Sequence, residues 1–158
     1  MASRLQYGKI APDAMHAFRG VEQYLEESEL DPMLRHLVKL RASQINGCAY
    51  CIDMHSKDLM AEGETPQRML LLDAWREAPF YSEKERAALA WTEAVTRLTD
   101  GQVPDEVFEE AKKHFSDKEL VDLTVNIAQI NSWNRMSIAF HSEVGTYQPK
   151  PRQHERAA

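Results

Sequence analysis

Signals that begin helices recur along the sequence at short intervals, and this recurrence constrains the fold more than any other feature. Two capping residues are followed directly by proline, and two capping boxes pair a serine with a glutamate three residues later. These signals are Asp31-Pro32, Thr65-Pro66, Ser82-x-x-Glu85 and Ser116-x-x-Glu119. Apolar residues then recur at spacings of three and four, whereas strand signals do not follow one another in this way. The pattern predicts an all-α fold.

The same signals divide the chain into about seven helices. We predict them at about 13–27, 32–46, 48–63, 66–75, 82–100, 104–114 and 117–142. A chain of 158 residues has the size of one domain, and a single core then buries roughly 68–70% of the unfolded surface. We therefore expect a single-domain helical bundle over residues 1–144. Residues 145–158 have two prolines and no apolar period, which predicts a mobile C-terminal tail.

Charge and composition exclude several classes of protein. The formal net charge of −6 argues against a nucleic-acid partner, because neutralising phosphates requires a basic surface. No apolar run approaches the ~18–20 residues that span a bilayer, and the N-terminal residues lack the apolar segment of a signal peptide. We therefore expect a cytoplasmic protein without a membrane partner. The six glycines form no phosphate-binding loop, so we expect neither a nucleotide nor a flavin cofactor.

The candidate site lies in the segment Q-I-N-G-C-A-Y-C-I-D-M-H, which contains both cysteines of the chain. In a helix that begins at Cys48, the side chains of Cys51 and His55 lie on the same face as Cys48. A thiol in the first turn faces the unpaired N–H groups, which lower its pKa. His55 can take the thiol proton, and one cysteine can close a disulfide on a sulfenic acid formed by the other. Thiol peroxidases and dithiol–disulfide exchangers require these groups, and Tyr50 can relay a proton to a leaving oxygen.

Less specific interpretations of the same residues remain open. Two cysteines on a helix can be small buried apolar residues, and Tyr50 can serve packing alone. The spacing C-x-x-C-x-x-x-H also supplies three zinc ligands, to which His36 can add a fourth. Three ligands on one helical face do not close a tetrahedron, and no second C-x-x-C or H-x-x-x-H is present to complete it. We therefore expect no metal in this protein.

A longer stretch around this motif resembles a known family. The run L-x-x-L-V-K-L-R-A-S-Q-I-N-G-C-A-Y-C-I-D-M-H-S-K-D is similar to the core of the AhpD-like alkylhydroperoxidases, within the carboxymuconolactone decarboxylase superfamily. The similarity continues through A-W-R-E-A-P-F-Y, E-R-A-A-L-A-W-T-E-A and N-S-W-N-R. It favours the peroxidase branch, since the decarboxylase branch does not rely on a C-x-x-C. The resemblance implies an all-helical fold, assembly into trimers or hexamers, and hydroperoxide reduction by a cysteine pair that an external dithiol reduces again.

The family's functional residues map onto this sequence with two departures. The resemblance implies that Cys48 and Cys51 are the redox-active pair and that His55 belongs to the proton relay. Tyr50 stands where the family often has a second histidine, an arrangement similar to that of the sestrins. His36 stands twelve residues before Cys48, where the family usually has a relay glutamate.

A carboxylate would stabilise a protonated His55, whereas a protonated His36 would oppose it. We therefore expect a lower peroxidase activity than in family members that have the relay glutamate, unless Glu93 supplies the missing negative charge. Glu93 lies beside the apolar stripe of its predicted helix, where a carboxylate is unusual. The other interpretation of Glu93 is a boundary residue that pairs with an arginine.

The sequence leaves alternatives for the reactive cysteine and for the function. The helix dipole favours Cys48 as the nucleophile, and the one-turn spacing to His55 favours Cys51. We expect Cys51 to meet the peroxide and Cys48 to resolve the intermediate. The second hypothesis for the function is a redox-sensing or interaction protein, oxidised once without turnover, and the third is a lactone decarboxylase.

Overall fold

The computed structural model describes residues 3–149, and every regular element in that range is helical. The eight α-helices are α1 (Tyr7–Ile10), α2 (Pro12–Glu26), α3 (Pro32–Asn46), α4 (Ala49–Ala61), α5 (Pro66–Leu70), α6 (Glu83–Thr96), α7 (Asp105–His114) and α8 (Asp117–Phe140). Short 3₁₀ turns follow α5 and α6, at Leu72–Ala74 and Leu98–Asp100. The predicted all-α fold is confirmed.

The predicted caps begin four of these helices. The Asp31 carboxylate accepts the backbone N–H of Leu34 at 2.9 Å and begins α3, and Thr65 caps α5 in the same way. Both capping boxes are complete, so that serine and glutamate satisfy each other's backbone N–H groups at the starts of α6 and α8. Local sequence chemistry therefore determines where these helices begin.

The predicted helix over 66–75 is interrupted, because side chains from further along the chain take its carbonyl groups. The hydroxyl of Tyr81 donates to the carbonyl of Arg68 at 2.5 Å, and the guanidinium of Arg86 donates to the carbonyl of Trp75 at 3.1 Å. These bonds replace the helical ones, so α5 ends at Leu70. Helix α1 is a single turn that the periodicity did not predict.

Helix α3 lies at the centre of the bundle, where it packs against α4, α6 and α8. One apolar cluster joins α3 to α6, α7 and α8, and a second joins α3 to α4 and the α5–α6 region. A third, smaller cluster contains Ala42, Cys48, Cys51 and Ile130. The cysteine pair is therefore part of the packed interior between α3, α4 and α8.

The segment after α8 crosses the surface of α4. The backbone N–H of Gly145 faces Asp53 at 3.3 Å, and Lys57 donates to the carbonyl of Tyr147 at 3.1 Å. Residues 145–149, the beginning of the predicted tail, have no regular secondary structure but make these contacts. The rest of the predicted tail, residues 150–158, lies outside the described residues. None of the helices within residues 3–149 has the length and apolar character needed to cross a membrane.

Candidate active site

The two cysteines are placed by the junction between α3 and α4. Gly47 ends α3 in the left-handed conformation, with φ 68°, and Cys48 caps α4. The backbone N–H of Cys51 points at the sulfur of Cys48, 3.4 Å away. The pair forms a disulfide with its Cα atoms 5.4 Å apart, and both residues are 1% exposed. The predicted pairing of thiols at the start of this helix is therefore present.

A cavity of about 870 Å³ reaches one of these cysteines. Its wall includes Cys51, together with Tyr50, His55 and His36. Cys48 is not among the described residues that line it, and instead packs behind Cys51 in the small apolar cluster. The cavity thus brings together four of the six residues proposed from the sequence, and it presents Cys51.

His36 and His55 form a cluster with a carboxylate that the sequence did not single out, that of Asp58. The two Nδ1 atoms are 3.4 Å apart. Oδ2 of Asp58 lies 3.5 Å from Nδ1 of His55 and 3.7 Å from Nδ1 of His36. On its other side, Oδ1 of Asp58 accepts the hydroxyl of Tyr147 at 2.6 Å. Asp58 therefore supplies a negative charge at the histidines, where the family's usual glutamate is replaced by His36.

Burial keeps both imidazoles neutral. It lowers the pKa of His36 to about 3, with a further decrease from the neighbouring His55. Burial also lowers the pKa of His55, and Asp58 only partly offsets this effect. For Asp58, burial raises the pKa, but the hydrogen bonds from His55 and Tyr147 outweigh it and leave the pKa below its ordinary value. At neutral pH the cluster is therefore a carboxylate between two neutral imidazoles.

One nitrogen of this cluster has no partner. Nε2 of His55 is buried and lacks a hydrogen-bond partner within the described part of the chain. Since Nδ1 of the same ring faces Asp58, a proton on Nδ1 leaves Nε2 as a free base. His55 lies one turn after Cys51 on α4, on the wall of the same cavity. The cavity wall therefore groups a cysteine, an imidazole nitrogen without a described partner and a carboxylate at the other nitrogen of the same ring.

Tyr50 lines the cavity, half-buried beside the cysteines. Burial raises the pKa of its hydroxyl, with smaller contributions from Tyr7 and Asp53. The hydroxyl is therefore protonated at neutral pH and can donate to an oxygen inside the cavity. The hydroxyl of Tyr147 is also protonated at neutral pH, because burial and the hydrogen bond to Asp58 raise its pKa.

Glu93 lies away from this cavity. Its Oε1 accepts Nε of Arg41 at 2.8 Å and the indole N–H of Trp75 at 2.9 Å, and its Oε2 accepts from Arg76 at 2.7 Å. It makes no contact with either histidine, so it does not supply the charge that replaces the relay glutamate. The structure matches the other interpretation of Glu93, a partner for arginine.

A second polar group on the cavity wall was also missed from the sequence. Glu22 of α2 pairs with the buried Lys39, and its Oε1 accepts the indole N–H of Trp133 at 2.9 Å. These residues come from α2, α3 and α8, so no local spacing connects them. Asp58, in contrast, follows His55 by three residues on one helix, and that spacing alone indicates a shared face.

Comparison with known proteins identifies the family of this chain. The chain matches the carboxymuconolactone decarboxylase family over residues 12–94 and belongs to it. It is 45% identical to the uncharacterised protein YdfG of Bacillus subtilis, across 88% of this chain and 95% of YdfG.

Two solved structures share the architecture. The ATU0492 protein of Agrobacterium tumefaciens, whose function is unknown and for which a role as the antioxidant defence protein AhpD has been suggested, has a TM-score of 0.89 at 44% identity. That match covers 92% of this chain and all of the other. The debrominase Bmp8 has a TM-score of 0.77 at 24% identity, over 85% of this chain and 73% of its own, which shows a common fold only.

Proposed function

We propose that this protein is a thiol-dependent hydroperoxide reductase in which Cys51 attacks the peroxide and Cys48 resolves the product. The observation that carries the proposal is the grouping of Cys51 and His55 on one cavity wall, with Asp58 on Nδ1 of His55 and, among residues 3–149, no partner on Nε2. A cysteine that has only a structural role does not require an oriented, unpartnered base. Membership of a family with AhpD-like relatives supports the same chemistry.

The proposed cycle begins with the reduced pair. His55 takes the proton of Cys51, and the thiolate attacks the outer oxygen of ROOH. The O–O bond breaks, the leaving RO⁻ takes a proton and departs as ROH, and Cys51 becomes a sulfenic acid. The sulfur of Cys48 then displaces water and forms the disulfide. An external dithiol supplies two electrons and two protons through thiol–disulfide exchange and restores both thiols.

Neighbouring groups support these steps. Asp58 orients His55 and stabilises the imidazolium that forms during proton transfer. His36, which is neutral at pH 7, does not oppose that positive charge. Tyr50 remains protonated and donates to the leaving oxygen. The backbone N–H of Cys51 stabilises a thiolate on Cys48 while that residue attacks the sulfenic acid.

Titration with peroxide tests the division of roles between the cysteines. The reduced wild type should consume one equivalent of an alkyl hydroperoxide, lose both thiols and decrease in intact mass by two hydrogen atoms. Cys48→Ser should consume one equivalent and stop at a sulfenic acid that a dione reagent traps on Cys51. Cys51→Ser should consume none at the rate of the wild type. Full peroxide consumption by Cys51→Ser would contradict the proposal.

A redox sensor is the second candidate, favoured by the near-complete burial of the closed disulfide. A sensor is oxidised once, whereas a peroxidase turns over many times when a dithiol is supplied. Peroxide consumption in excess dithiothreitol or dihydrolipoamide separates the two. Consumption that ends after one equivalent, with the disulfide still closed in the presence of the dithiol, would support the sensor.

The remaining expectations are proposals of the same kind. We propose a cytoplasmic protein that assembles into trimers or hexamers and receives electrons from a dithiol protein or a small thiol. Sedimentation equilibrium of the full chain distinguishes these assemblies from a monomer of 18.2 kDa.

A further inference from the structure

Three potential ligand atoms converge on one point in the wall of the cavity. They are Nδ1 of His36, Nδ1 of His55 and Oδ2 of Asp58, separated by 3.4, 3.5 and 3.7 Å. The three side chains are 25%, 4% and 12% exposed, so water competes weakly for the position between them. We propose that His36, His55 and Asp58 form a binding site for Zn²⁺ that is separate from the cysteine pair.

The spacing and the types of the three ligand atoms fit zinc. Tetrahedral ligands are separated by about 1.6 times the metal–ligand bond length, so edges of 3.4, 3.5 and 3.7 Å correspond to bonds of about 2.2 Å. That length is at the upper end of Zn–N and Zn–O bonds, and a small movement of the side chains shortens it. Two imidazole nitrogens and one carboxylate oxygen are a ligand set that zinc binds in proteins.

An outer hydrogen bond already holds one of the three ligand atoms in position. The hydroxyl of Tyr147 holds Oδ1 of Asp58 and leaves Oδ2 directed at the histidines. Outer hydrogen bonds of this kind orient the carboxylate ligand in metal sites.

The charged side chains that line the cavity also favour a divalent cation. Its lining contains four carboxylates, those of Glu22, Glu26, Asp58 and Glu62, against two cations, Arg35 and Lys39. Lys39 is paired with Glu22, which reduces its repulsion of a metal ion. Three protein ligands leave a fourth tetrahedral position, and the cavity can supply water there.

Zinc at this position excludes the proton relay, a consequence that rests on the proposed function. The relay needs a proton on Nδ1 of His55 and a free Nε2, whereas zinc occupies Nδ1 and leaves the proton on Nε2. The bound metal therefore removes the base that deprotonates Cys51. Zinc binding itself does not depend on peroxide chemistry.

The binding test uses the oxidised protein, in which the disulfide leaves no thiol to bind zinc. Equilibrium dialysis should show one Zn²⁺ per chain, and Co²⁺ should produce the intense visible absorption of a tetrahedral complex. Asp58→Asn and His36→Gln should each weaken binding by more than the roughly 10–100-fold cost of a lost outer-sphere contact. His36 is partly exposed, so its variant should fold even if Asp58→Asn does not.

Two control variants remove similar groups outside the triangle. Asp53→Asn changes another carboxylate of α4, and His114→Gln changes a histidine that pairs with Glu110. Both should bind metal like the wild type. The zinc site is contradicted if the oxidised wild type takes up no metal, or if the Asp58 and His36 variants bind it as the wild type does.

Inhibition is measured separately, as the rate of peroxide consumption with and without one equivalent of Zn²⁺. If the protein binds zinc but has no peroxidase activity, the zinc site is supported and the proposed function is contradicted. Peroxidase activity without zinc binding would support the proposed function and contradict the zinc site.

Discussion

At the residue scale, the carboxylate beside His55 comes from α4 itself. Asp58 lies one turn after His55, while His36 occupies the position of the usual relay glutamate on α3. Helical spacing placed Cys48, Cys51 and His55 on one face, because residues three and four apart on a helix are neighbours. His36 lies on α3, and only the resemblance to the family connected it with this group. The sequence did not single out Asp58, since several charged residues lie on α4 and only packing shows which of them faces His36.

Replacing Asp58 with asparagine should slow peroxide oxidation of the reduced protein by on the order of 100-fold, the range of general-base contributions. Without the carboxylate, His55 loses the group that orients it. The thiolate must then form without an oriented base, so the rate should depend more strongly on pH than in the wild type. Stopped-flow measurements against pH check this, with Asp53→Asn as the matched control. A pH profile identical to that of the wild type would exclude Asp58 from the relay.

Glu93 should contribute to stability and not to the chemistry. It is 5% exposed and accepts from Arg41, so Glu93→Gln leaves the buried guanidinium with the exposed Asp73 as its remaining carboxylate partner. The free energy of unfolding should fall by about 2 kcal/mol, measured by urea denaturation at pH 7. The rate of peroxide oxidation of the folded variant should equal that of the wild type, and a 100-fold slower rate would return Glu93 to the relay.

The contribution of Glu93 to the free energy of unfolding should depend on pH. Burial raises the pKa of Glu93, but hydrogen bonds from Trp75, Arg76 and Arg41 outweigh it and hold the pKa below its ordinary value of 4.5. A lowered pKa in the folded state stabilises the protein above pH 4.5, and this contribution is lost as the pH falls further. The difference in stability between wild type and Glu93→Gln should therefore be complete at neutral pH and decrease below pH 4.5.

At the scale of the elements, caps and periodicity predicted most helices, because both depend on residues close together in sequence. The starts of α3, α5, α6 and α8 follow from side chains that satisfy their first N–H groups. The interruption after Leu70 depends on Tyr81 and Arg86, which are more than ten residues away. Helical periodicity contains no information about hydrogen bonds between residues that far apart in the sequence.

The junction between α3 and α4 can be tested through Gly47, whose φ of 68° favours glycine. An added Cβ meets no atom within 4 Å, so Gly47→Ala introduces strain without a clash. It should lower the free energy of unfolding by about 1 kcal/mol. Gly20 lies inside α2 with equally open surroundings, and Gly20→Ala should instead raise stability by about 0.5–1 kcal/mol. Thermal denaturation of both variants checks the opposite signs.

At the scale of the whole molecule, the two ends of the described chain lie side by side. The backbone N–H of Arg4 donates to the carbonyl of Phe140 at 2.9 Å, and the hydroxyls of Tyr7 and Ser142 are 3.3 Å apart. Residues from both ends therefore line the cavity, among them Tyr7 and Tyr147. The sequence could not predict this part of the wall, since residues 145–149 lack the periodicity that connects sequence to structure.

Tyr147→Phe tests whether the C-terminal segment controls access to Cys51. The lost hydrogen bond to Asp58 contributes about 1 kcal/mol, which corresponds to a roughly fivefold larger population of conformers with the segment detached. Alkylation of the reduced protein by a bulky maleimide should accelerate by the same factor. Tyr24→Phe is the control, because its hydroxyl also bonds a carboxylate, that of Asp122 at 2.6 Å. Equal rates in both variants would show that the segment does not limit access.

The crossing of residues 143–149 over α4 also orders the events of biosynthesis. The ribosome synthesises this segment after every described helix, so α3 and α4 can pack around the thiols before Tyr147 reaches Asp58. Until then the nascent chain contains both cysteines and both histidines of the cluster, but Oδ1 of Asp58 lacks the hydroxyl that it accepts in the folded protein. The last hydrogen bond of this cluster thus forms only after all eight described helices have been synthesised.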